Sequence, residues 1–204
     1  MPKIWSCPQR VAALVIAAGF FAGIAASRAD DVGPGNGVKF PFVIYAEQGG
    51  AENHFIPAGW IGNTKNLKLD EGWTQRPHAG KTCVHVEYAA PGQWAGIVWQ
   101  DPANDWGEVP GGWNLTGAKK LTFWARGEKG EETVHFKFGV LGPDKKYPDS
   151  ASGETSDLKL TTDWKEYEID LAGKDLTHVK TGFVLTLGGQ GGPVGFDLDD
   201  MQFE

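Results

Sequence analysis

The chain has 204 residues, of which 26 are acidic and 19 are basic, so its formal net charge is −7. This length is enough for one domain with a buried core. The acidic balance argues against nucleic acid and against anionic membrane surfaces as partners. Cys7 and Cys83 are the only two cysteines, which leaves little scope for a disulfide framework.

The first 29 residues have the pattern of a cleaved signal peptide. Lys3 and Arg10 precede an uncharged apolar stretch at Val11–Ala26, and Ser27-Arg28-Ala29 offers small residues at a cleavage site. A membrane anchor is the alternative, but the stretch is short for a span and rich in alanine and glycine. We therefore predict export to the periplasm or the extracellular space, with cleavage near Ala29.

Cleavage there removes three basic residues and leaves 16 basic and 26 acidic ones, a net charge of −10. Cys83 becomes the single cysteine, so no intrachain disulfide can form. Residues 30–37, which contain the run DVGPGN, are predicted to be a flexible lead-in. The mature protein is expected to be a monomer that makes no membrane contact.

Residues 38–204 have the profile of an all-β domain. Glycine is abundant at 29 residues, proline contributes 12, and no stretch beyond the signal keeps a helical apolar period for three turns. Short alternating segments instead recur between turn signals, and we predict a single jelly-roll β-sandwich. The predicted strands are Phe40–Glu47, Thr82–Tyr88, Gln93–Gln100, Lys120–Arg126, Thr133–Val140, Trp164–Leu171, Thr181–Leu187 and Gly195–Glu204.

The predicted connections differ in length. Gly127–Glu132 is short and charged, which is typical of a hairpin loop between two paired strands. Gln48–Pro77 and Asp101–Thr116 are long and hold four tryptophans, and long loops in compact domains are more often functional than connective. Trp60 and Trp106 are the members of this set that we expect to reach a ligand.

The closing strand changes phase between its two apolar pairs. Phe196 and Leu198 alternate, and so do Met201 and Phe203, but the step between the pairs is odd. The pleat must therefore slip at Asp199-Asp200, which predicts a bulge that turns one carboxylate inward. An inward carboxylate needs a compensating partner, and a bound cation is the simplest one.

Six short segments, taken in order, resemble the galactose-binding-like β-sandwich found in carbohydrate-binding modules. They span nearly all of the mature chain, and they are PHAGKT (77–82), VHVEY (84–88), WAG (94–96), LTFWARG (121–127), WKEYEIDL (164–171) and FDLDDM (196–201).

This resemblance implies a structural calcium ion near the joined first and last strands. Glu47 and Asp199 match its side-chain ligands, and carbonyls near His78–Lys81 would complete the site; oxygen donors of this kind suit calcium. The alternative is that Asp199 and Asp200 are solvated edge residues. The resemblance also implies that the partner is a polysaccharide or other glycan.

Motifs for catalysis are scarce. The five histidines form no HExxH pair, and no Gly-x-Ser-x-Gly or phosphate-binding glycine loop occurs. Acidic residues are plentiful enough that a carboxylate pair for glycoside hydrolysis stays open. We favour a non-catalytic carbohydrate-binding protein. An exported glycan-active hydrolase or lyase on the same fold is the first alternative, and a structural envelope protein is the second.

The aromatic residues provide the predicted binding surface, because sugar C–H faces stack on indole rings. Trp124 and Arg126 oppose the core-facing residues of their strand, and His135 and Lys137 do the same on the next strand. If the two strands pair through Gly127–Glu132, these four side chains form one ligand-binding patch. The alternative for Trp124 is ordinary packing beneath a covering loop.

Overall fold

A computed structural model describes residues 38–204 of the chain. The predicted signal peptide (1–29) and lead-in (30–37) lie outside the described residues. Within residues 38–204 the one helical element is a 3-10 turn at Thr64–Asn66, and no helix is long and apolar enough to cross a membrane. The strands are β1 (Phe42–Tyr45), β2 (Ile56–Gly62), β3 (Leu67–Trp73), β4 (Cys83–Tyr88), β5 (Trp94–Gln100), β6 (Lys120–Gly127), β7 (Thr133–Phe138), β8 (Gly153–Glu154), β9 (Leu158–Lys159), β10 (Lys165–Asp170), β11 (Thr181–Gly188) and β12 (Val194–Phe203).

The strands form two antiparallel sheets of six strands each. The first sheet has the order β10-β6-β12-β4-β3, and β1 pairs with the last residues of β12. The second sheet has the order β2-β5-β11-β7-β8, and β9 also pairs with β7. Several consecutive strands, such as β11 and β12, lie in opposite sheets. The predicted all-β jelly-roll sandwich is confirmed.

The core lies between the inner faces of the two sheets. Phe123 of the first sheet contacts Phe136 and Phe183 of the second, with ring centroids 4.6 and 5.1 Å apart. Trp99 packs edge-on against Phe183 at 5.5 Å, and all four rings are fully buried. Burying each such side chain contributes about 1.5–3 kcal/mol, so apolar burial between the sheets is the main stabilising term.

The predicted slip in the closing strand is present. The register of β12 against β6 shifts between Asp199 and Gln202, and Asp200 adopts a positive φ of 45°. As a result Leu198 and Met201 both reach the core although they are three positions apart, an odd step. Asp199 is the carboxylate that turns inward, with an exposed fraction of 0%.

Two strands fall inside the segment 48–77, which we expected to be a loop. The residues of β2 (IPAGWIG) contain proline and glycine, which weaken a strand signal, while β3 (LKLDEGW) carries three charges. Both are edge strands. An edge strand tolerates Pro57, and the register of β2 shifts between Pro57 and Gly59. The loop prediction for this segment was wrong.

The segment 127–132 does not form a hairpin. Strand β6 pairs with β10 and β12, whereas β7 pairs with β11, β8 and β9. The segment therefore crosses from the first sheet to the second. Glu132 stabilises the crossing, since its buried side chain accepts a 2.7 Å hydrogen bond from the Lys129 backbone N–H.

The long loop after β5 is held by a buried ion pair. Asp105 accepts backbone hydrogen bonds from Gly107, Glu108 and Val109 at 3.0–3.2 Å, and its carboxylate also binds the Lys180 ammonium. Lys180 is only 1% exposed, and burying its ammonium group would be costly without the compensating charge of Asp105.

We therefore expect Asp105→Ala to lower the free energy of unfolding by about 3–5 kcal/mol, because it leaves the Lys180 charge buried and unpaired. Urea unfolding measures this loss. Glu131→Ala is the matched control, since it breaks an exposed pair with Lys159 and should hardly move the unfolding midpoint. Equal effects of the two substitutions would contradict the anchoring role of Asp105.

Candidate functional site

An open groove of about 580 Å³ runs over the outer face of the second sheet. Strand pairing places one residue from each of four strands in a row across its floor: Ile61, Gly96, Thr186 and His135. Gly96 keeps this floor low. A Cβ there would lie 2.5 Å from the Leu185 carbonyl oxygen and 2.9 Å from the Thr186 methyl group, so no larger residue fits.

Trp94 forms the aromatic part of the groove. It begins β5 directly opposite Gly188, and it shares the outward parity of Gly96 while Ile97 and Trp99 point into the core. Its exposed fraction is 55%, as high as that of any large apolar side chain among the described residues. An exposed indole beside a flat glycine floor is an arrangement on which a planar apolar surface can stack.

Polar side chains follow the side of the groove formed by β7. Lys137 Nζ lies 2.8 Å from Glu154 Oε2, and the same oxygen lies 3.3 Å from His135 Nε2. The other ring nitrogen of His135 is 3.3 Å from Asp157 Oδ1. His135 Nε2 is within ion-pair distance of Glu154, yet the angles do not make a hydrogen bond, so its hydrogen-bonding capacity is unused.

The loop that closes this side of the groove is fixed to β7. The Gln190 side chain accepts a 2.8 Å hydrogen bond from the Thr133 N–H and donates a 2.8 Å hydrogen bond to the Thr133 carbonyl. Both residues line the groove. The groove wall is therefore held by two directed bonds rather than by a free glycine-rich loop.

The structure divides the four residues of the predicted patch between two surfaces. Trp124 and Arg126 lie on the outer face of the first sheet, whereas His135 and Lys137 lie on the outer face of the second. The single patch was wrong because its premise, a pairing of β6 with β7, is not met. Only His135 and Lys137 belong to the groove.

Trp124 is half-buried beneath a covering loop. The imidazole of His78 stacks on it with centroids 3.8 Å apart and an interplanar angle of 16°, and Trp164 approaches the same histidine edge-on at 5.9 Å. The packing alternative that we kept for Trp124 describes this environment. The face of Trp124 that meets His78 is not open to a ligand in this arrangement.

The two loop tryptophans occupy different places. Trp60 lies on the edge strand β2, paired with Ile97 on the core-facing parity, and is 39% exposed. Trp106 is half-buried in the loop after β5. Neither lines the groove, so contact of Trp60 or Trp106 with a ligand stays a prediction.

The two predicted metal ligands both bind the loop 78–82. Glu47 Oε1 accepts the Lys81 N–H at 2.7 Å, and Oε2 accepts the Thr82 N–H at 3.0 Å and the Thr82 hydroxyl at 2.6 Å. Asp199 accepts the N–H groups of His78, Ala79 and Asp200 at 2.9, 3.2 and 2.9 Å.

Burial raises the pKa of Asp199 to about 6, although these three N–H donors oppose the shift. Each carboxylate thus already has three hydrogen-bond donors out of about four acceptor positions. Among residues 38–204 no three His, Cys, Asp or Glu side chains lie close enough to share a metal. These hydrogen bonds anchor the loop 78–82, and calcium binding by Glu47 and Asp199 stays a prediction.

Trp94 is the site residue that the sequence analysis missed. It was assigned to a strand but not to a binding surface. The available signal was parity: Trp94 has the opposite parity to Ile97 and Trp99, so it had to point outward if those two were in the core.

Solved structures with the same fold are carbohydrate-binding modules and related domains. The family 30 carbohydrate-binding module of the cellulosomal cellulase Cel9D-Cel44B from Clostridium thermocellum superposes with a TM-score of 0.55 and 16% sequence identity; the match covers 80% of this chain and 96% of that one. Endo-D from Streptococcus pneumoniae R6, solved as a glycoside hydrolase domain, matches with a TM-score of 0.50 and 17% identity over 71% of this chain and 21% of that one.

No protein-family model matches the sequence, and no curated protein matches it either. At these identities the likeness concerns the fold alone. The chain therefore has the β-sandwich fold of the carbohydrate-binding modules, as the sequence motifs had led us to expect.

Proposed function

We propose that this protein is a non-catalytic glycan-binding protein, and that the groove on the second sheet holds an oligosaccharide. The observation that carries the proposal is the exposed Trp94 indole, which lines the groove opposite Gly188. The carbohydrate-binding modules among the structural neighbours support the same class of ligand.

The groove offers both kinds of contact that a sugar requires. Trp94 and Ile61 provide apolar surface for the C–H face of a pyranose ring. Thr186 and Lys137 also line the groove and can meet hydroxyl groups. Ligand sites in proteins are commonly clefts of this size, lined mainly by apolar groups with a few placed polar ones.

Binding is favoured over hydrolysis by the state of the groove carboxylates. A general acid for glycoside cleavage needs a raised pKa. The Lys137 ammonium, through its hydrogen bond and its charge, instead lowers the pKa of Glu154. The second carboxylate, Asp157, faces His135 at 3.3 Å. A carboxyl group with a lowered pKa, as Glu154 has, is poorly suited to protonate a leaving group.

Export and a monomeric state complete the proposal. The basic and apolar N-terminal pattern supports a secreted protein, and an acidic surface suits a solvated one. Mass spectrometry of protein from the periplasmic and extracellular fractions should find a chain that begins near residue 30. Detection of the full-length chain alone would contradict cleavage.

Trp94→Ala should weaken glycan binding by about tenfold, since stacking on one ring contributes roughly 1 kcal/mol or more. Its stability should change by less than about 1 kcal/mol, because more than half of the ring is already exposed. Affinity electrophoresis against a panel of neutral polysaccharides measures the first effect, and urea unfolding the second.

Trp60→Ala is the matched control, because it removes an equally large exposed indole from the edge of the same sheet. Because Trp60 does not line the groove, a groove site predicts unchanged binding in this variant, whereas the predicted ligand contact of Trp60 would weaken it. Loss of binding in this variant, with Trp94→Ala unaffected, would move the site to the β2 edge. New reducing ends released from any polysaccharide in the panel would contradict a purely binding role.

Calcium bound by Glu47 and Asp199 remains a separate prediction. An ion that binds only the folded protein at a hundredfold excess over its Kd should raise the Tm of a domain this size by about 5–10 °C. The measurement is a thermal scan of protein stripped of metal, before and after calcium is added. A rise that disappears in Asp199→Ala would support the prediction, and an unchanged scan would contradict it.

A further inference from the structure

A second, smaller concavity of about 360 Å³ lies on the outer face of the first sheet, on the opposite side of the sandwich from the groove. We call it the pocket. Its floor is formed by His85 of β4, Asp197 of β12 and Arg126 of β6, which are neighbours across the sheet. Trp73, Arg76 and Lys129 form part of its rim.

The floor is a buried network centred on one carboxylate. Asp197 is 1% exposed, and its Oδ1 lies 2.6 Å from His85 Nδ1 while its Oδ2 binds the Arg126 guanidinium. Burial lowers the pKa of His85, but the hydrogen bond with Asp197 and the nearby carboxylates outweigh this effect and raise it. Asp197 is thus bound by two side chains, His85 and Arg126.

Arg126 has hydrogen-bonding capacity to spare. Its side chain is more than nine-tenths buried, and its Nε has no hydrogen-bond partner among the described residues. A buried guanidinium N–H that stays unsatisfied is costly, and most such groups in proteins meet a protein, water or ligand acceptor. Arg126 lines the pocket, so an acceptor in the pocket lies beside this guanidinium group.

The charge of the pocket is opposite to that of the protein. Arg76 and Arg126 are the only arginines among residues 38–204, and both line the pocket together with Lys129. Glu128 is the one lining carboxylate besides Asp197. A concentration of guanidinium groups in a chain of net charge −7 favours an anion, and planar carboxylates suit guanidinium geometry well.

Aromatic rings fix the walls of the pocket. Trp73 stacks on His85 with centroids 4.3 Å apart, and the Trp164 ring lies 5.5 Å from the Arg126 guanidinium carbon. Trp164 also donates a 2.9 Å hydrogen bond from Nε1 to the Arg76 carbonyl, which holds the rim in place. An indole beside a guanidinium suits a ligand that is a ring with a carboxylate attached.

We propose that the pocket is a second ligand site, which binds the carboxylate of an acidic sugar residue such as a uronic acid. The sugar part of this inference rests on the proposed function, whereas the anion part rests on the pocket alone. The acid group is bound by Arg126 from the floor and by Arg76 and Lys129 from the rim, with the sugar ring against Trp73.

Calorimetric titration of the whole protein with galacturonic acid oligosaccharides, at low ionic strength, tests the proposal. The matched ligands are the same oligosaccharides with their carboxyl groups reduced to alcohols, which should bind at least about tenfold more weakly. Added salt should weaken binding of the acidic oligosaccharides, because it screens the charges of Arg76 and Lys129 on the rim. Free acetate, which has a carboxylate but no sugar ring, should bind more weakly than the acidic oligosaccharide.

Arg126→Lys keeps the charge and removes Nε, and we expect it to weaken binding by about tenfold. Since this variant alters a buried pair, the doubly substituted Arg76→Gln and Lys129→Gln protein provides a second test at the exposed rim, with the same expected loss. Lys65→Gln is the control, since it removes one positive charge from an exposed position outside the pocket.

Equal binding of acidic and reduced oligosaccharides would overturn the proposal, and so would unchanged binding in the rim variant. Acetate binding as tight as oligosaccharide binding would overturn the assignment to a sugar. Trp94→Ala separates the two sites: it should weaken binding of neutral glycans in the groove by about tenfold and leave binding of the acidic oligosaccharide intact. The proposed groove site and the proposed pocket site can therefore be disproved independently of each other.

Discussion

The buried carboxylate of Asp199 is the interaction on which the outer surface of the first sheet depends. The bulge in β12 turns this group away from water, and the N–H groups of His78 and Ala79 compensate it. Glu47 binds the far end of the same loop through Lys81 and Thr82. With both ends fixed, the loop lies across the sheet and covers Trp124. The bulge in β12 thus determines which part of the surface a ligand can reach.

The two outer faces of the sandwich differ because their strands carry different outward residues. On the second sheet the outward positions include Gly96, Gly188 and Thr186, so the surface is low and open. On the first sheet they include His85 and Arg126, so the surface is filled with charge and covered at its edge by a loop. The first arrangement offers a long contact to an extended chain. The second is a smaller and more polar concavity, where the proposed acidic sugar residue would bind.

The alternation of apolar residues was sufficient to predict the sheets' interior, the location of most strands and the slip at Asp199. It could not predict which strands are neighbours, because pairing depends on contacts between residues distant in sequence. The patch of Trp124 with His135 failed for that reason, since a short loop can join two sheets as readily as two paired strands. β2 was missed because Pro57 and Gly59 are typical of loops, and an edge strand accepts them.

The groove is built from rigid elements, and this affects how it can recognise a ligand. Trp94 and His135 lie on strands, and Gln190 is tied to β7 by two hydrogen bonds, so little conformational entropy is lost when a ligand arrives. Stacking on an indole discriminates poorly among pyranoses, because most present an apolar face. Selectivity must therefore come from the polar wall. There Lys137 and Thr186 line the groove, and a ligand hydroxyl has to match the positions of their polar atoms.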